Sequence, residues 1–141
     1  MTAKNKITVE VLLNSSVDIA WKEFTNPESI INWNFASTDW CCPKAEIDLR
    51  KGGSFNYRME SKDGSMGFDF YGTYTEVKDK ELIRFTLGDN REVGVEFKKE
   101  NGKVRVIETF EAEGENTLEL QRNGWQAILD NFKKYTETRN K

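Results

Sequence analysis

Histidine is absent from this sequence of 141 residues, and its absence limits the chemistry that the chain can perform. Without an imidazole there is no Ser-His-Asp triad, no histidine proton relay and no histidine ligand for zinc. Only two cysteines occur, the neighbours Cys41 and Cys42. Adjacent cysteines rarely bridge each other and cannot join distant parts of a fold. We interpret them as reduced structural thiols, and we expect no metal site and no cofactor.

The sequence also lacks an excess of charge of one sign. Lys and Arg number 21 and Asp and Glu number 24, with both signs spread along the chain, so no basic face for a polyanion is evident. Residues 1–14 hold only a short alternating apolar pattern, which is neither a signal-peptide core nor a membrane span. These observations argue against nucleic acid as a partner and predict a cytoplasmic protein.

Aromatic residues, in contrast, are plentiful for so polar a chain, with 9 Phe, 4 Tyr and 4 Trp. They must fill a core or line a pocket, and both uses favour a hollow fold rich in β-sheet. The length suits one domain covering residues 1–141, and no linker or repeat divides it.

The N-terminal part predicts a strand followed by two short helices. Apolar residues alternate from Ile7 to Leu13, as in a half-buried strand. Ser15 or Ser16 can cap a first helix, and Asn26-Pro27-Glu28 supplies a cap, a first-turn proline and an early acid for a second helix that reaches Trp33.

The rest of the chain predicts a β-meander and a long helix. From about Lys44 apolar residues alternate in successive runs, separated by turn signals such as Lys62-Asp63-Gly64 and Asn101-Gly102. The runs indicate six strands, with the first strand making a seventh. Asn116, three residues before Glu119, begins a helix of about five turns. The predicted order is β, α, α, six β, α, an α+β fold.

The sequence predicts specific structural roles for glycines at two sites. Gly52-Gly53 supplies backbone freedom where a strand bends, while Asp48 and Arg50 share a strand face and favour a surface ion pair over a catalytic carboxylate. Gly124 lies inside the last helix, where glycine is costly, so we expect a close approach of a strand or short helix.

Several segments, in this order, carry a family resemblance. They are Ser16, Trp21, Asn26-Pro27-Glu28, Trp33, Asp48 to Phe55, Asp63-Gly64, Gly72 and Gly124-Trp125. The chain resembles, over nearly its whole length, the START-like (SRPBCC) superfamily and, within it, the family named for the activator of the heat-shock protein 90 ATPase. The resemblance implies a helix-grip fold, in which a curved sheet wraps the C-terminal helix around a deep apolar cavity.

The resemblance also implies a choice of functions. Relatives bind lipids, polyketides or plant hormones, so we favour a domain that holds a small hydrophobic or amphipathic molecule between sheet and helix. An alternative is an interaction protein that associates with a chaperone in the stress response. A cyclase or hydrolase would need Glu108 or Asp48 buried beside a polar pocket, and the lack of histidine and of a nucleophile motif disfavours an enzyme.

The candidate cavity residues are those that the alternation along a strand, or the apolar side of the last helix, would turn towards the interior. Gln121 lies one turn before Trp125 and either faces the ligand or sits at the rim. Trp125 itself either fills the core or contacts the ligand. The full candidate set is Trp33, Trp40, Phe55, Tyr57, Phe70, Glu108, Gln121, Trp125 and Leu129.

Glu108 shares strand parity with apolar neighbours and can therefore turn inward, where burial would raise its pKa and make it a proton-transfer candidate. The commoner fate of such a residue is a salt bridge, here with Arg84, Arg91 or Arg105. Trp33 and Trp40 lie between the second helix and the sheet, at the expected cavity mouth; Trp33 favours a core position, and the role of Trp40 is open.

Overall fold

One antiparallel sheet dominates the structure, a computed structural model that describes residues 5–139. Its seven strands follow the order β1-β7-β6-β5-β4-β3-β2. The sheet curls around the C-terminal helix, which confirms the predicted α+β helix-grip fold. In chain order the elements are β1 (Lys6–Leu13), α1 (Val17–Thr25), α2 (Pro27–Ile30), β2 (Trp40–Ile47), β3 (Ser54–Ser61), β4 (Gly67–Lys78), β5 (Leu82–Leu87), β6 (Glu92–Glu100), β7 (Lys103–Glu111) and α3 (Leu118–Arg139).

The short helices begin where the capping residues predicted them. Ser16 Oγ accepts a hydrogen bond from the Ile19 backbone N–H at 3.2 Å, and Asn26 Oδ1 accepts one from Glu28 N–H at 3.1 Å. Each side chain satisfies a backbone donor that the first turn of a helix leaves free. The caps therefore fix the entry to α1 and to α2.

The second helix is shorter than predicted, because it ends at Ile30 and does not reach Trp33. Beyond the helix, the chain turns so that the buried Trp33 indole donates Nε1–H to the Glu23 carbonyl at 3.1 Å. This hydrogen bond attaches the segment after α2 to the end of α1.

Two other element boundaries differ from the prediction. The second strand begins at Trp40 rather than near Lys44, because a register irregularity between Cys41 and Lys44 interrupts its alternation. The last helix is capped by Thr117, whose Oγ1 accepts from the Leu120 N–H at 3.1 Å. Asn116 is not the cap in this structure.

The glycine pair bends the chain between β2 and β3. Gly52 has φ of +85°, a conformation that favours glycine, and a Cβ on Gly53 would collide with the Asp48 carbonyl oxygen. The backbone of this turn exchanges hydrogen bonds of 2.8 Å with Tyr74 on β4. Asp48 lies just after β2 and forms the predicted surface ion pair with Arg50, at 3.0 Å.

The densest packing lies where α1 and the C-terminal half of α3 meet the sheet. Phe132 is fully buried, and its ring centroid lies 5.2 Å from that of Phe24 and 5.0 Å from that of Trp33. Trp21 contacts Phe97 of β6 edge to face, at 5.1 Å. This cluster fixes one end of α3 against the sheet. Within residues 5–139, no helix has both the length and the apolar character needed to cross a membrane.

Candidate ligand-binding cavity

A cavity of about 440 Å³ lies between strands β3 to β5 and the N-terminal half of α3. Its position follows from where the helix packs. Trp125 stacks on Phe110 of β7, with ring centroids 3.9 Å apart, and Gln126 Nε2 donates to the Glu10 carbonyl of β1 at 3.1 Å. These contacts hold α3 over the β1–β7 side of the sheet. Space remains over β3, β4 and β5.

Gly124 adds to this space. We expected a strand or short helix to approach it closely, and that expectation is wrong: no heavy atom lies within 4 Å of the position that a Cβ would occupy, leaving aside the two adjacent residues and the helix's own nearby backbone. Gly124 lines the cavity instead. The missing side chain therefore enlarges the cavity, and it does not accommodate a neighbouring backbone.

The floor of the cavity is an aromatic cluster centred on Phe55. Its ring centroid lies 5.0 Å from that of Tyr57, 5.9 Å from Phe70, 5.4 Å from Tyr74 and 4.9 Å from Phe85. All five rings line the cavity. Aromatic rings at these separations attract one another and present broad apolar faces. They can therefore enclose a flat or elongated apolar molecule.

Strand register explains why these rings meet. Tyr57 pairs with Phe70 across β3 and β4, and Tyr74 pairs with Phe85 across β4 and β5. Paired residues of an antiparallel sheet project from the same face. The sequence identified Phe55, Tyr57 and Phe70; the same parity rule, applied along β4 and β5, would also have found Tyr74 and Phe85.

Trp125 combines the two roles between which the sequence could not decide. One face of its indole stacks on Phe110, and the residue also lines the cavity, where its ring contacts that of Phe70 edge to face at 6.0 Å. Trp33 likewise is buried and lines the cavity from the segment after α2.

Two predicted wall residues lie elsewhere. Trp40 begins β2 and contacts Phe68 at 5.8 Å between ring centroids, but it does not line the cavity. Leu129 is 1% exposed and belongs to the packed core. It lies in the half of α3 where α1 and β1 leave no space, so the apolar stripe on the helix misidentified it as a cavity residue.

Glu108 faces inward on β7 and lines the cavity, with 8% of its surface exposed. Burial raises the pKa of its carboxyl to about 8, because the apolar surroundings disfavour the charged form. At neutral pH most of the molecules therefore carry a protonated carboxyl at this position. Such a group can both donate and accept a hydrogen bond.

The salt bridge expected for Glu108 is not formed with any of the three candidate arginines. Arg84 and Arg105 alternate with inward-facing residues and so project from the outer face of the sheet. The arginines pair instead as Arg84 with Glu76 at 3.5 Å, Arg91 with Asp89 at 2.8 Å, and Arg105 with Glu100 at 2.6 Å.

The two cavity tyrosines are also kept uncharged. Burial raises the pKa of Tyr57 well above its usual value, and interactions with Tyr74, Cys42 and Glu108 raise it further. Burial likewise raises the pKa of Tyr74. The inner wall thus carries two phenol hydroxyls and one carboxyl, together with the buried amides of Asn34 and Gln121, in a largely apolar surface.

Gln121 is buried and lines the cavity, but its amide is occupied by the chain itself. Oε1 accepts from the Glu113 N–H at 2.9 Å, and Nε2 donates to the carbonyls of Glu113 at 3.2 Å and Asn116 at 2.8 Å. These bonds fasten the loop before α3. The prediction of a ligand-facing amide is therefore wrong, since the amide satisfies loop backbone groups.

Exposed lining residues mark the opening of the cavity. Phe68 is 50% exposed and Leu120 is 58% exposed, although both line the cavity. Arg91 and Glu113 complete the lining between β6, β7 and α3. Hydrogen bonds from Asn116 lower the pKa of Glu113, so its carboxylate is charged at neutral pH. The opening therefore combines apolar side chains with one charge of each sign.

The cysteines lie away from any metal-binding arrangement. Among residues 5–139, no group of three or more Cys, Asp or Glu side chains is placed to hold a metal ion. Burial raises the pKa of the Cys42 thiol, which is therefore protonated at neutral pH. Cys42 thus acts as a small apolar residue on the buried side of β2.

Known proteins share this architecture. The family model described as "Activator of Hsp90 ATPase homolog 1-like protein" matches residues 14–137. The solution structure of an AHSA1-like protein from Aeromonas hydrophila has 43% identity and a TM-score of 0.90, covering 96% of this chain and 94% of that one. A Cytophaga hutchinsonii protein has 45% identity and a TM-score of 0.83, with 95% and 93% covered.

More distant structures share the fold alone. A Nitrosomonas europaea protein is 18% identical, with a TM-score of 0.81 over 99% of this chain and 98% of that one. No curated protein matched the chain. The family match spans α1 to α3 and agrees with the observed sheet order. The chain therefore belongs to the family of Activator of Hsp90 ATPase homolog 1-like proteins, with a START-like helix-grip fold.

Proposed function

We propose that this domain binds a small apolar or amphipathic molecule in the cavity between β3 to β5 and α3. The observation that supports the proposal most is the cavity itself, about 440 Å³ in volume and floored by five aromatic rings. Small-molecule sites in proteins are commonly concave, mostly apolar and of roughly 300–1,000 Å³. A ligand would gain affinity chiefly by burying apolar surface against these rings.

The cavity opens to solvent, and this supports the same proposal, because a ligand could not enter a fully enclosed void. Phe68 and Leu120 expose apolar surface at the rim, and a ligand entering there would pass Arg91 and Glu113 before reaching the aromatic floor. An amphipathic molecule would suit both regions.

A fluorescence titration with N-phenylnaphthylamine tests this function. The probe is neutral and apolar, and its emission should rise and shift to the blue when it enters the cavity. Gly124→Leu should weaken binding about tenfold or more, because the leucine side chain would occupy cavity space that the ligand needs. Leucine also favours helix over glycine, so the variant should remain folded.

Asn123→Leu is the matched control. Asn123 precedes Gly124 on α3, is exposed and does not line the cavity, so its replacement adds the same side chain outside the site. Binding should match that of the wild type. If the wild type fails to bind the probe, or if Gly124→Leu binds it as well as Asn123→Leu does, the cavity is not the binding site.

The family description supports a second candidate, association with a chaperone of the Hsp90 class. Such a role would agree with the cytoplasmic location expected from residues 1–14 and with the stress response expected from the resemblance. Adding the domain to the host cell's own Hsp90 should then increase the rate of ATP hydrolysis, measured by phosphate release. If the rate does not change at saturating domain and a pull-down with the domain retains no Hsp90, this candidate is rejected, whatever the outcome of the probe titration.

A further inference from the structure

Among residues 5–139, Glu108 is the only carboxyl on the inner wall of the cavity, since Glu113, the other acidic lining residue, lies at the opening. It alternates with Val106 and Phe110 on the inward face of β7, and both of these neighbours are buried. Within residues 5–139, no hydrogen bond or ion pair reaches its carboxyl group. An acidic side chain thus takes a place that the pattern of β7 otherwise gives to apolar ones.

A buried carboxyl without a partner is costly to folding. Proteins normally pair such groups or hydrogen-bond them, because transfer from water to an apolar site removes their solvation. Glu108 lies beside open space, so a molecule in that space could supply the missing partner. The residue therefore bears on which ligand the cavity selects.

We infer that the cavity selects ligands with a basic amine, which donates hydrogen bonds to the Glu108 carboxylate while the apolar body lies on Phe55 and Phe70. The inference rests on the proposed function, because it names the chemistry of the ligand in that same cavity. An ammonium group supplies the opposite charge that the described residues do not provide. A ligand carboxylate would bring a like charge, and an alcohol would form only a neutral hydrogen bond.

Ligand charge makes binding dependent on pH. The other titratable or charged groups around the cavity are Cys42 on β2, Tyr57 on β3, Tyr74 on β4, Arg91 before β6 and Glu113 after β7. From α3 the cavity receives only uncharged residues such as Gln121 and Trp125.

Of these groups, Glu108 is the one expected to change charge between pH 6 and 8. Burial raises the pKa values of Cys42, Tyr57 and Tyr74, hydrogen bonding lowers that of Glu113, and Arg91 is paired with Asp89. The Glu108 pKa of about 8 means that a binding ammonium must displace a proton from the empty site. Amine affinity should therefore rise with pH up to about 8 and then level off.

Competition against bound N-phenylnaphthylamine tests the inference with three ligands of one apolar body. These are naphthylethylamine, naphthylethanol and naphthylacetate, which are cationic, neutral and anionic at neutral pH. The wild type should bind the amine about tenfold to a hundredfold more tightly than the alcohol, and the acetate most weakly. The preference for the amine should increase from pH 6 to pH 8.

Glu108→Gln is the decisive variant, because it keeps the shape and hydrogen bonding of the side chain but cannot become negative. It should lose both the preference for the amine and its dependence on pH, when the affinities of the three ligands are compared with one another within the variant. Glu96→Gln on β6 is the matched control: Glu96 is exposed, does not line the cavity and pairs with Lys98 at the surface. This control should keep the preference of the wild type.

The probe separates the two proposals. If N-phenylnaphthylamine does not bind the wild type, the proposed function fails. If the probe binds but the alcohol or the acetate competes as well as the amine, or if Glu108→Gln keeps the preference, the inference about Glu108 is wrong and the proposed function stands.

Discussion

The two halves of α3 belong to the same helix but meet very different surroundings. In residues 129–139, Leu129, Phe132 and Thr136 are almost completely buried against the rest of the core. In residues 118–128, Leu120 is 58% exposed and the space beside Gly124 is open. The C-terminal half secures the helix to the fold, and this allows the N-terminal half to cover a space that its own side chains do not fill.

The largest expected effect comes from truncating one large ring in each half. Phe132→Ala should lower the free energy of unfolding by about 3–5 kcal/mol, because the ring is fully buried between Phe24 and Trp33. Trp125→Ala should cost less, since its indole already borders open space. Urea unfolding measures both values.

Equal losses in these two variants would contradict the contrast between the halves. They would show that Trp125 is packed as completely as Phe132 is, and that the space between α3 and the strands closes in solution.

The next largest effect is a gain in stability, expected when Glu108 is replaced by glutamine. Burial raises its pKa from 4.5 to about 8, so between these values the folded domain keeps a proton that the unfolded chain has released. Stability should therefore fall as pH rises through this window. Glu108→Gln has no carboxyl that can ionise in the unfolded chain. Its free energy of unfolding should therefore exceed that of the wild type by about 3 kcal/mol at pH 7, with little difference near pH 4.5.

Urea melts of both proteins from pH 4.5 to 8 provide the measurement. Glu96→Gln, which replaces an exposed carboxylate on β6, should follow the wild type across the whole range. Parallel curves for the wild type and Glu108→Gln would mean that Glu108 ionises in the folded state as readily as in the unfolded chain.

Much of the fold could be predicted because its signals are local. Alternating apolar residues define β1 and the later strands, and the caps at Ser16 and Asn26 fix where the short helices begin. Strand parity also placed Phe55, Tyr57 and Phe70 on the cavity face. A residue's own neighbours in sequence decide these features.

The site residues that sequence reasoning misjudged depend on which element packs opposite them. Leu129 and Trp125 share the apolar side of α3, but only the position of α1 and β1 decides that Leu129 is packed and Trp125 borders the cavity. Gly124 faces open space and Gln121 faces a loop, and neither environment leaves a local pattern in the chain.

Gln121→Leu should have the third largest effect. The variant would leave the Glu113 N–H and two loop carbonyls without their partner, which should cost about 1–3 kcal/mol in urea unfolding. Faster amide hydrogen exchange at residues 113–117 should accompany the loss. The exposed neighbour Arg122→Leu should show neither change. An unaltered exchange rate in Gln121→Leu would mean that the amide does not hold the loop.

The smallest effect is a gain in stability from Gly124→Ala. Alanine favours a helix interior over glycine by about 1 kcal/mol, and its methyl group would meet no atom within 4 Å apart from the two adjacent residues and the helix's own nearby backbone. The variant should therefore melt at a higher urea concentration than the wild type does. At Gly72 on β4 the same change should destabilise, because a Cβ there would collide with the Thr86 carbonyl oxygen and press on the Phe55 ring at 3.0 Å. If both alanines destabilise, a neighbouring element must approach Gly124 in solution, and the cavity would be smaller than the structure shows.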